Sequence, residues 1–139
     1  MNPYHYVLSL RLKHPTLDLS DATSRLGLVP KRTWRVGAPR TDINGAALSG
    51  FYSESYWTAP LLNAEKLLST TVSLDESLVE VVRQLGSHRE FLVSLRDSGG
   101  TCACSVGVFA SANFGIEIPA SLMQGLVELG VDLWLDAYP

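Results

Sequence analysis

Apolar residues occupy every second position near the start of the chain, and this pattern constrains the fold more than any other feature. They run from Tyr4 to Leu12, and the positions between them hold His5, Val7, Ser9 and Arg11. Successive side chains of a β-strand point to opposite faces, so the pattern predicts a strand that is buried on one face only. The chain must therefore build a sheet with two unlike faces.

The C-terminal residues repeat this alternation with different chemistry. Four apolar residues alternate with four acidic or aromatic ones, namely Val131, Leu133, Leu135 and Ala137 with Asp132, Trp134, Asp136 and Tyr138. We predict a last strand with one apolar face and one face of aromatic and acidic side chains. Further strands are predicted over residues 32–36, 51–58 and 102–108.

Helical signals separate these strands. Ser73 and Glu76 form a capping box before an apolar repeat at helical spacing, which predicts the most regular helix of the chain. Ser87 and Glu90 repeat the pattern and favour a second helix, with a strand over residues 91–95 as the alternative.

Two more helices and two irregular segments complete the prediction. A short helix is predicted between Ser20 and Gly27, and a longer one between Ile118 and Gly130. Glycine and proline mark residues 37–50 as a long loop, and residues 60–71 fit either a helical turn or a covering loop.

These elements indicate a single α+β domain over residues 1–139. The expected architecture is a mainly antiparallel sheet with helices on one face, similar to ferredoxin-like folds. Leu26-Gly27-Leu28 and Leu129-Gly130-Val131 each follow a strand and a helix, which is consistent with a duplicated strand–helix–strand unit.

Composition excludes several classes of protein. Hydrophobic residues make up 46% of the 139 and charged residues 18%, which is incompatible with a disordered chain. No apolar run approaches the roughly 18 residues that a membrane span needs, and the N-terminus lacks a signal-peptide pattern. We expect a soluble, cytoplasmic protein without a membrane partner.

Charge is divided along the chain. Residues 1–40 hold seven basic and two acidic residues, a net charge of +5, and the other 99 residues hold four basic and twelve acidic ones, a net charge of −8. Either the fold has two surfaces of opposite sign, or its halves interleave and the charges mix.

The two cysteines are expected to be reduced and buried. Cys102 and Cys104 lie two residues apart on one predicted strand, where disulfide geometry is poor. A zinc site would need two of His5, His14 and His88, and none of these has finger-like spacing to the cysteines. We therefore expect no metal.

Several motifs in fixed order resemble one bacterial family. They are Leu17-Asp18, Leu26-Gly27-Leu28-Val29-Pro30, Thr33-Trp34-Arg35-Val36-Gly37-Ala38-Pro39-Arg40, a lone Trp57, Leu126-Val127-Glu128-Leu129-Gly130 and Leu133-Trp134-Leu135-Asp136-Ala137-Tyr138. Along nearly the whole chain they resemble the family called domain of unknown function 4279. The resemblance implies a small, stand-alone bacterial protein without an established enzymatic role, and some such proteins are suspected to be immunity proteins that act beside secreted toxins.

The face with the C-terminal aromatic residues is the first candidate site. If helices cover only the apolar face, Asp132, Trp134, Asp136 and Tyr138, together with Glu54, could bind a protein partner, because aromatic anchors dominate binding energy. The expected function is protein–protein binding, most concretely an immunity-type inhibitor that docks an acidic, aromatic surface onto a basic toxin site. The alternative is that residues 37–50 or 60–72 close over Trp134 and bury it.

A second candidate site, of a different class, would bind a small ligand or anion. Trp34, Arg35, Arg40 and Trp57 could surround an anion in a sensor domain, with arginine as a bidentate donor. The alternative is that Trp34 belongs to the core and the arginines are ordinary solvated groups. A nucleic acid is not an expected partner, because most of the chain is acidic.

No catalytic signature is present. The sequence contains no nucleophile elbow, phosphate loop, zinc-protease motif or dinucleotide fingerprint. Asp132 and Asp136 lie four residues apart on one strand, about 13 Å at about 3.3 Å per residue, which is too far for a glycosidase pair. We expect no enzymatic activity and no cofactor.

Overall fold

The strand predicted from the first alternation lies in the middle of the sheet. The structure, a computed structural model, describes residues 2–62 and 65–139. The strands are β1 (His5–His14), β2 (Arg32–Trp34), β3 (Pro39–Thr41), β4 (Ala47–Phe51), β5 (Ser55–Pro60), β6 (Leu67–Leu68), β7 (Thr101–Phe109) and β8 (Asp132–Tyr138). The helices are α1 (Ala22–Leu26), α2 (Leu74–Gly86), α3 (Arg89–Asp97) and α4 (Ala120–Leu129).

The main sheet has the order β2-β5-β1-β7-β8. Neighbouring strands are antiparallel, except that β7 and β8 are parallel. The short β6 pairs with the start of β1, beyond the stretch of β1 that pairs with β5. The predicted single α+β domain with a mainly antiparallel sheet is therefore confirmed.

One face of the sheet and the four helices share a single core. The strands contribute residues of one parity, such as Leu8 and Leu10 of β1 and Val106 of β7, all of which are buried. The helices contribute Leu26, Leu78, Val81, Leu85, Leu92, Leu95, Leu122, Leu126 and Leu129. This core follows from the period-two pattern of the strands and the apolar stripes of the helices.

Local signals determine three helix boundaries as predicted. The hydroxyl of Ser73 accepts a hydrogen bond from the amide of Glu76 at 3.4 Å and begins α2. Gly130 ends α4 with a φ of 68°, and Gly27 ends α1 with a φ of 66°. Both positions lie in the left-handed region that glycine adopts without a steric cost.

One local prediction was wrong, and one alternative is excluded in favour of the predicted helix. Residues 37–50 are not a loop, because β3 and β4 form an antiparallel hairpin, and the carboxylate of Asp42 accepts hydrogen bonds from two amides in its turn. The exposure of every residue of β3 and β4 explains the error, since no apolar alternation marked them. The alternative of a strand over 91–95 is also wrong, because α3 covers these residues.

The segment over residues 60–71 is now partly defined. Leu61 is buried, and Leu67 and Leu68 form β6. Residues 63 and 64 lie outside the described part of the chain. The sequence fits either a helical turn or a covering loop over this segment. Its described residues include a short strand instead.

Both strand–helix–strand units join parallel strands. β7, α4 and β8 form a unit whose strands are neighbours. β1, α1 and β2 form a unit in which β5 lies between the strands and runs antiparallel to both. The two units differ in this inserted strand, and the strand order alone does not establish a ferredoxin-like fold.

Candidate binding face

The face of the sheet opposite the helices is the candidate site, and we call it the open face. Its side chains alternate with the buried ones along each strand. They are Arg32 and Trp34 of β2, Tyr56 and Thr58 of β5, His5, Val7, Ser9, Arg11 and Lys13 of β1, Thr101, Ala103, Ser105, Gly107 and Phe109 of β7, and Asp132, Trp134, Asp136 and Tyr138 of β8. No helix within residues 2–62 and 65–139 packs on this face.

Trp134 is the most prominent side chain of the open face, with 54% of its surface exposed. The guanidinium of Arg11 lies over its indole, 4.7 Å from the ring centroid. This contact crosses β7, where Ala103 and Ser105 are too small to separate the two side chains. The alternative, that residues 37–50 or 60–72 bury Trp134, is therefore wrong for the residues that the structure describes.

Beyond Trp134, the end of β8 carries a second group of interacting side chains. The Tyr138 hydroxyl donates a hydrogen bond of 2.6 Å to Asp136 Oδ2. This hydrogen bond to the carboxylate raises the pKa of Tyr138. The Tyr138 ring stacks on Phe109 with centroids 4.9 Å apart, and the Lys66 ammonium lies 4.0 Å from the Phe109 centroid. Tyr138 thus holds Asp136 beside an aromatic surface, and Lys66 covers the Phe109 ring of that surface.

Four of the five predicted partner-binding residues lie on β8, and Glu54 does not. Asp132 forms an exposed ion pair of 3.5 Å with Arg96, and Asp136 bonds to Tyr138. Glu54 precedes β5 and pairs with Lys13 at 3.7 Å. It is three strand spacings from β8, or about 14 Å at about 4.8 Å per strand. Glu54 can belong to a large interface on this face but not to the β8 cluster.

An aromatic stack closes the other edge of the open face. The indole of Trp34 lies between the rings of Tyr52 and Tyr56, with centroid distances of 4.3 and 4.4 Å. Its Nε1 donates to the Glu54 carbonyl at 3.0 Å. Both ring faces and the donor of Trp34 are thus already occupied. No local signal predicts this stack, because it depends on the pairing of β2 with β5.

The predicted anion site around Trp34, Arg35, Arg40 and Trp57 does not form. Trp57 is 0% exposed on the helix side, where its Nε1 donates to Thr23 Oγ1 at 3.1 Å. Trp34 lies on the opposite face, because Thr33 and not Trp34 stands opposite Trp57. Arg40 donates to the Ser49 carbonyl within the hairpin. The prediction that these four residues share one site is wrong.

A cleft of about 510 Å³ lies between β2 and the β3–β4 hairpin. Lys31 and Arg32 supply positive charge to its wall, and Arg32 also donates to the Thr41 carbonyl at 2.9 Å. The Tyr52 hydroxyl lies in the same wall, and its hydrogen bonds with Thr41, helped by Arg32, lower the pKa of Tyr52. The sequence-based prediction of the anion site included neither Lys31 nor Arg32.

Charges of both signs share the open face. Arg11, Lys13 and Arg32 lie on β1 and β2, whereas Asp132 and Asp136 lie on β8. The two halves of the sequence therefore contribute to one surface, with basic residues on β1 and β2 and acidic residues at the β8 edge. The surface is aromatic, as predicted, but it is not uniformly acidic.

The cysteines are free and buried on the helix side, as predicted. Burial raises the pKa of Cys102 and of Cys104 to about 12. His14 is also buried, and its Nδ1 accepts hydrogen bonds from the amides of Thr16 and Leu17. Among the described residues, no three histidine, cysteine or acidic side chains gather as metal ligands.

The helices of the described chain are too short or too polar to cross a membrane. Helices on one side of a sheet and a free polar–aromatic side define the protein as a single α+β domain with an open sheet face. The chain belongs to the family described as domain of unknown function (DUF4279), whose model matches residues 2–139. No curated protein and no solved structure matches it.

Proposed function

We propose that the protein binds another protein through the open face. The observation that carries this proposal is the half-exposed Trp134 indole on a face that no described helix covers. Tryptophan and tyrosine are common binding hot spots, because they bury a large apolar surface with few rotatable bonds. Covering the exposed half of Trp134 would contribute about 2–3 kcal/mol.

Neighbouring side chains support Trp134 as an anchor. Arg11 restrains one side of the indole, and Tyr138 and Phe109 extend the aromatic surface along β8. A side chain that is held in place before binding loses less conformational entropy when the complex forms. The contact between Arg11 and Trp134 therefore raises the affinity for a partner and also fixes the position of the indole.

Charge on the open face selects the partner. The acidic edge at Asp132 and Asp136 favours basic groups, and Arg11 and Lys13 on β1, two strands inward, favour acidic groups. Such complementarity speeds association and fixes the register of docking. The narrower proposal is that the partner is a bacterial toxin that this protein neutralises, and its support is the family resemblance alone.

The test uses the product of the adjacent gene. We would coexpress it with this protein, measure growth, and measure the affinity of the purified pair by calorimetry. Trp134→Ala and Asp136→Lys should each weaken binding at least tenfold and abolish rescue of growth. Binding within twofold of the wild-type value in both variants would contradict the role of the open face, and a neighbour product that is neither toxic nor bound would contradict the toxin proposal.

Two exposed residues away from the open face provide matched controls. Phe51→Ala removes an exposed aromatic side chain of the hairpin, and Glu90→Lys reverses an exposed acidic charge on α3. Both should leave affinity and rescue unchanged. Loss of binding in the controls would show that the effect is general and not specific to β8.

A second candidate function is the binding of a small anion in the cleft beside β2. Its support is the pair of cations, Lys31 and Arg32, in the wall of the cleft. Inorganic phosphate should then raise the melting temperature of the protein, and Arg32→Ala should remove this increase. Arg35→Ala is the control, because the exposed Arg35 does not line the cleft. No increase at millimolar phosphate would contradict this function.

A further inference from the structure

The outer edge of β8 is unpaired in the part of the chain that the structure describes. β8 is the last strand in the sheet order, and β7 pairs with its inner side. It has seven residues, of which six are exposed and Leu133 is half-buried. An edge strand of this length presents a row of free backbone donors and acceptors, which is a template for pairing with another strand.

The register with β7 determines which backbone groups point outward. Tyr138 stands opposite Phe109, and its carbonyl accepts a hydrogen bond from the amide of Ala110 at 3.3 Å. Residues of a strand direct their backbone groups alternately to the two sides. Trp134 and Asp136 therefore bond toward β7 as Tyr138 does, and the amides and carbonyls of Leu133, Leu135 and Ala137 point outward.

We propose that two copies of the protein pair through antiparallel β8 strands, with a twofold axis at Leu135. An antiparallel pair must match outward-pointing residues with one another, which limits the extensive registers to those centred on Trp134, Leu135 or Asp136. Centring on Trp134 places Asp132 opposite Asp136 of the second copy. Centring on Asp136 places Asp136 of one copy opposite Asp136 of the second copy. Like charges directly opposite one another destabilise a sheet, so both registers are disfavoured.

The register centred on Leu135 avoids every acidic pair. It places Trp134 opposite the second copy's Asp136, and Asp132 opposite the second copy's Tyr138. Each carboxylate then faces an aromatic side chain and not a second carboxylate. Of the three registers, this one alone places no two carboxylates of β8 directly opposite one another.

Apolar contacts on the helix side favour the same register. Leu135 is 50% exposed, and the twofold axis would bring it against its own copy. Leu133 would lie opposite Ala137 of the second copy. The three pairs of outward-pointing residues would together form about six backbone hydrogen bonds. The axis is perpendicular to the sheet, so both helix layers lie on one side and both open faces on the other. The pairing does not depend on the proposed function.

The oligomeric state as a function of concentration tests the pairing. A single strand pair buries less than the roughly 1,600 Å² of a standard interface, so we expect a reversible dimer in sedimentation between 1 and about 500 µM. Leu135→Lys places two ammonium groups together at the axis and should weaken the dimer at least tenfold. Val29→Lys is the matched control, because Val29 is 80% exposed and precedes β2 at the opposite edge of the sheet. A monomer at every concentration would overturn the proposal.

Cysteine cross-linking tests the register. Directly opposite Cα atoms in a hydrogen-bonded pair are about 5.5 Å apart, which is within the range for a disulfide. Leu135→Cys should therefore form an intermolecular disulfide faster than Trp134→Cys or Asp136→Cys under mild oxidation. The buried native thiols should not interfere. Faster cross-linking of either neighbouring variant would overturn the Leu135 axis.

Discussion

The guanidinium carbon of Arg11 lies 4.7 Å from the centroid of the Trp134 ring, although a whole strand separates the strands that carry them. The intervening positions on β7 are Ala103 and Ser105, and their short side chains leave the gap open. An exposed cation–π contact of this kind contributes about 0.5–1 kcal/mol. Trp134 is therefore held in place by a weak contact while it remains accessible.

The first prediction follows from the opposite environments of two tryptophans. Trp134→Ala should lower the free energy of unfolding by about 1 kcal/mol or less, because the indole is half-exposed and loses one weak contact. Trp57→Ala should lower it by about 3–5 kcal/mol, because the indole is fully buried and its removal leaves a cavity. Urea denaturation of both variants measures the difference. Equal losses would show that Trp134 is a structural residue.

The two faces of the sheet show how much of the structure the sequence could predict. The alternation of β1 and β8 and the Ser73 cap are local signals, and they placed the strands, α2 and the open face correctly. The pairing between distant strands has no local signal. Thr33, and not Trp34, lies opposite Trp57, and adjacent residues of a strand point to opposite faces. Trp34 and Trp57 therefore lie on opposite faces of the sheet, although the sequence predicted that they share one site.

The position of β7 was also beyond local reasoning. The sequence predicted that residues such as Arg11 and Trp134 share one face, but it did not predict which strand lies between them. The parallel pairing of β7 with β8 puts a row of small side chains at this place, Ala103, Ser105 and Gly107. Once the strand order is known, this row of small residues can be recognised between the long side chains of β1 and β8.

The second prediction concerns thiol reactivity. Burial raises the pKa of Cys102 and Cys104 to about 12, so almost none of either side chain is thiolate at pH 8. A thiol reagent at pH 8 should label neither cysteine in the folded protein, and both in urea. Asp136→Cys is the positive control and should react at least about a hundred times faster, because it lies on the exposed strand β8. Rapid labelling of the native cysteines would contradict their placement in the core.

The third prediction concerns the buried hydroxyl of Tyr6. It donates to the Val72 carbonyl at 2.8 Å and lies 2.6 Å from the Ser77 hydroxyl. Tyr6→Phe leaves these groups without their partner and should lower the free energy of unfolding by about 1–2 kcal/mol near pH 7. Tyr6→Leu, which also changes the side-chain volume, should cost more.

The pH dependence of the Tyr6 contribution has a definite sign. Burial raises the pKa of Tyr6 in the folded protein above its usual value of 10.0. Above pH 10 the unfolded chain has lost this proton while the folded chain still holds it, so the contribution of Tyr6 to stability falls as pH rises. The difference in stability between the wild type and Tyr6→Phe should therefore shrink between pH 9 and about 11. A constant difference would contradict the raised pKa.

The last prediction contrasts two glycines. A Cβ atom at Gly100 would lie 2.9 Å from the His14 ring and from the Leu95 side chain, both of which are buried. Gly100→Ala must therefore displace His14, whose Nδ1 accepts two amides and whose Nε2 lies 3.0 Å from the Ser98 hydroxyl. We expect a loss of about 1–3 kcal/mol in the free energy of unfolding. Gly86→Ala is the matched control, since a Cβ there meets nothing within 4 Å and alanine favours the helical backbone of α2 by about 0.5–1 kcal/mol. Urea denaturation should rank Gly86→Ala above the wild type and Gly100→Ala below it, and the reverse order would show that the turn before β7 can open without disturbing His14.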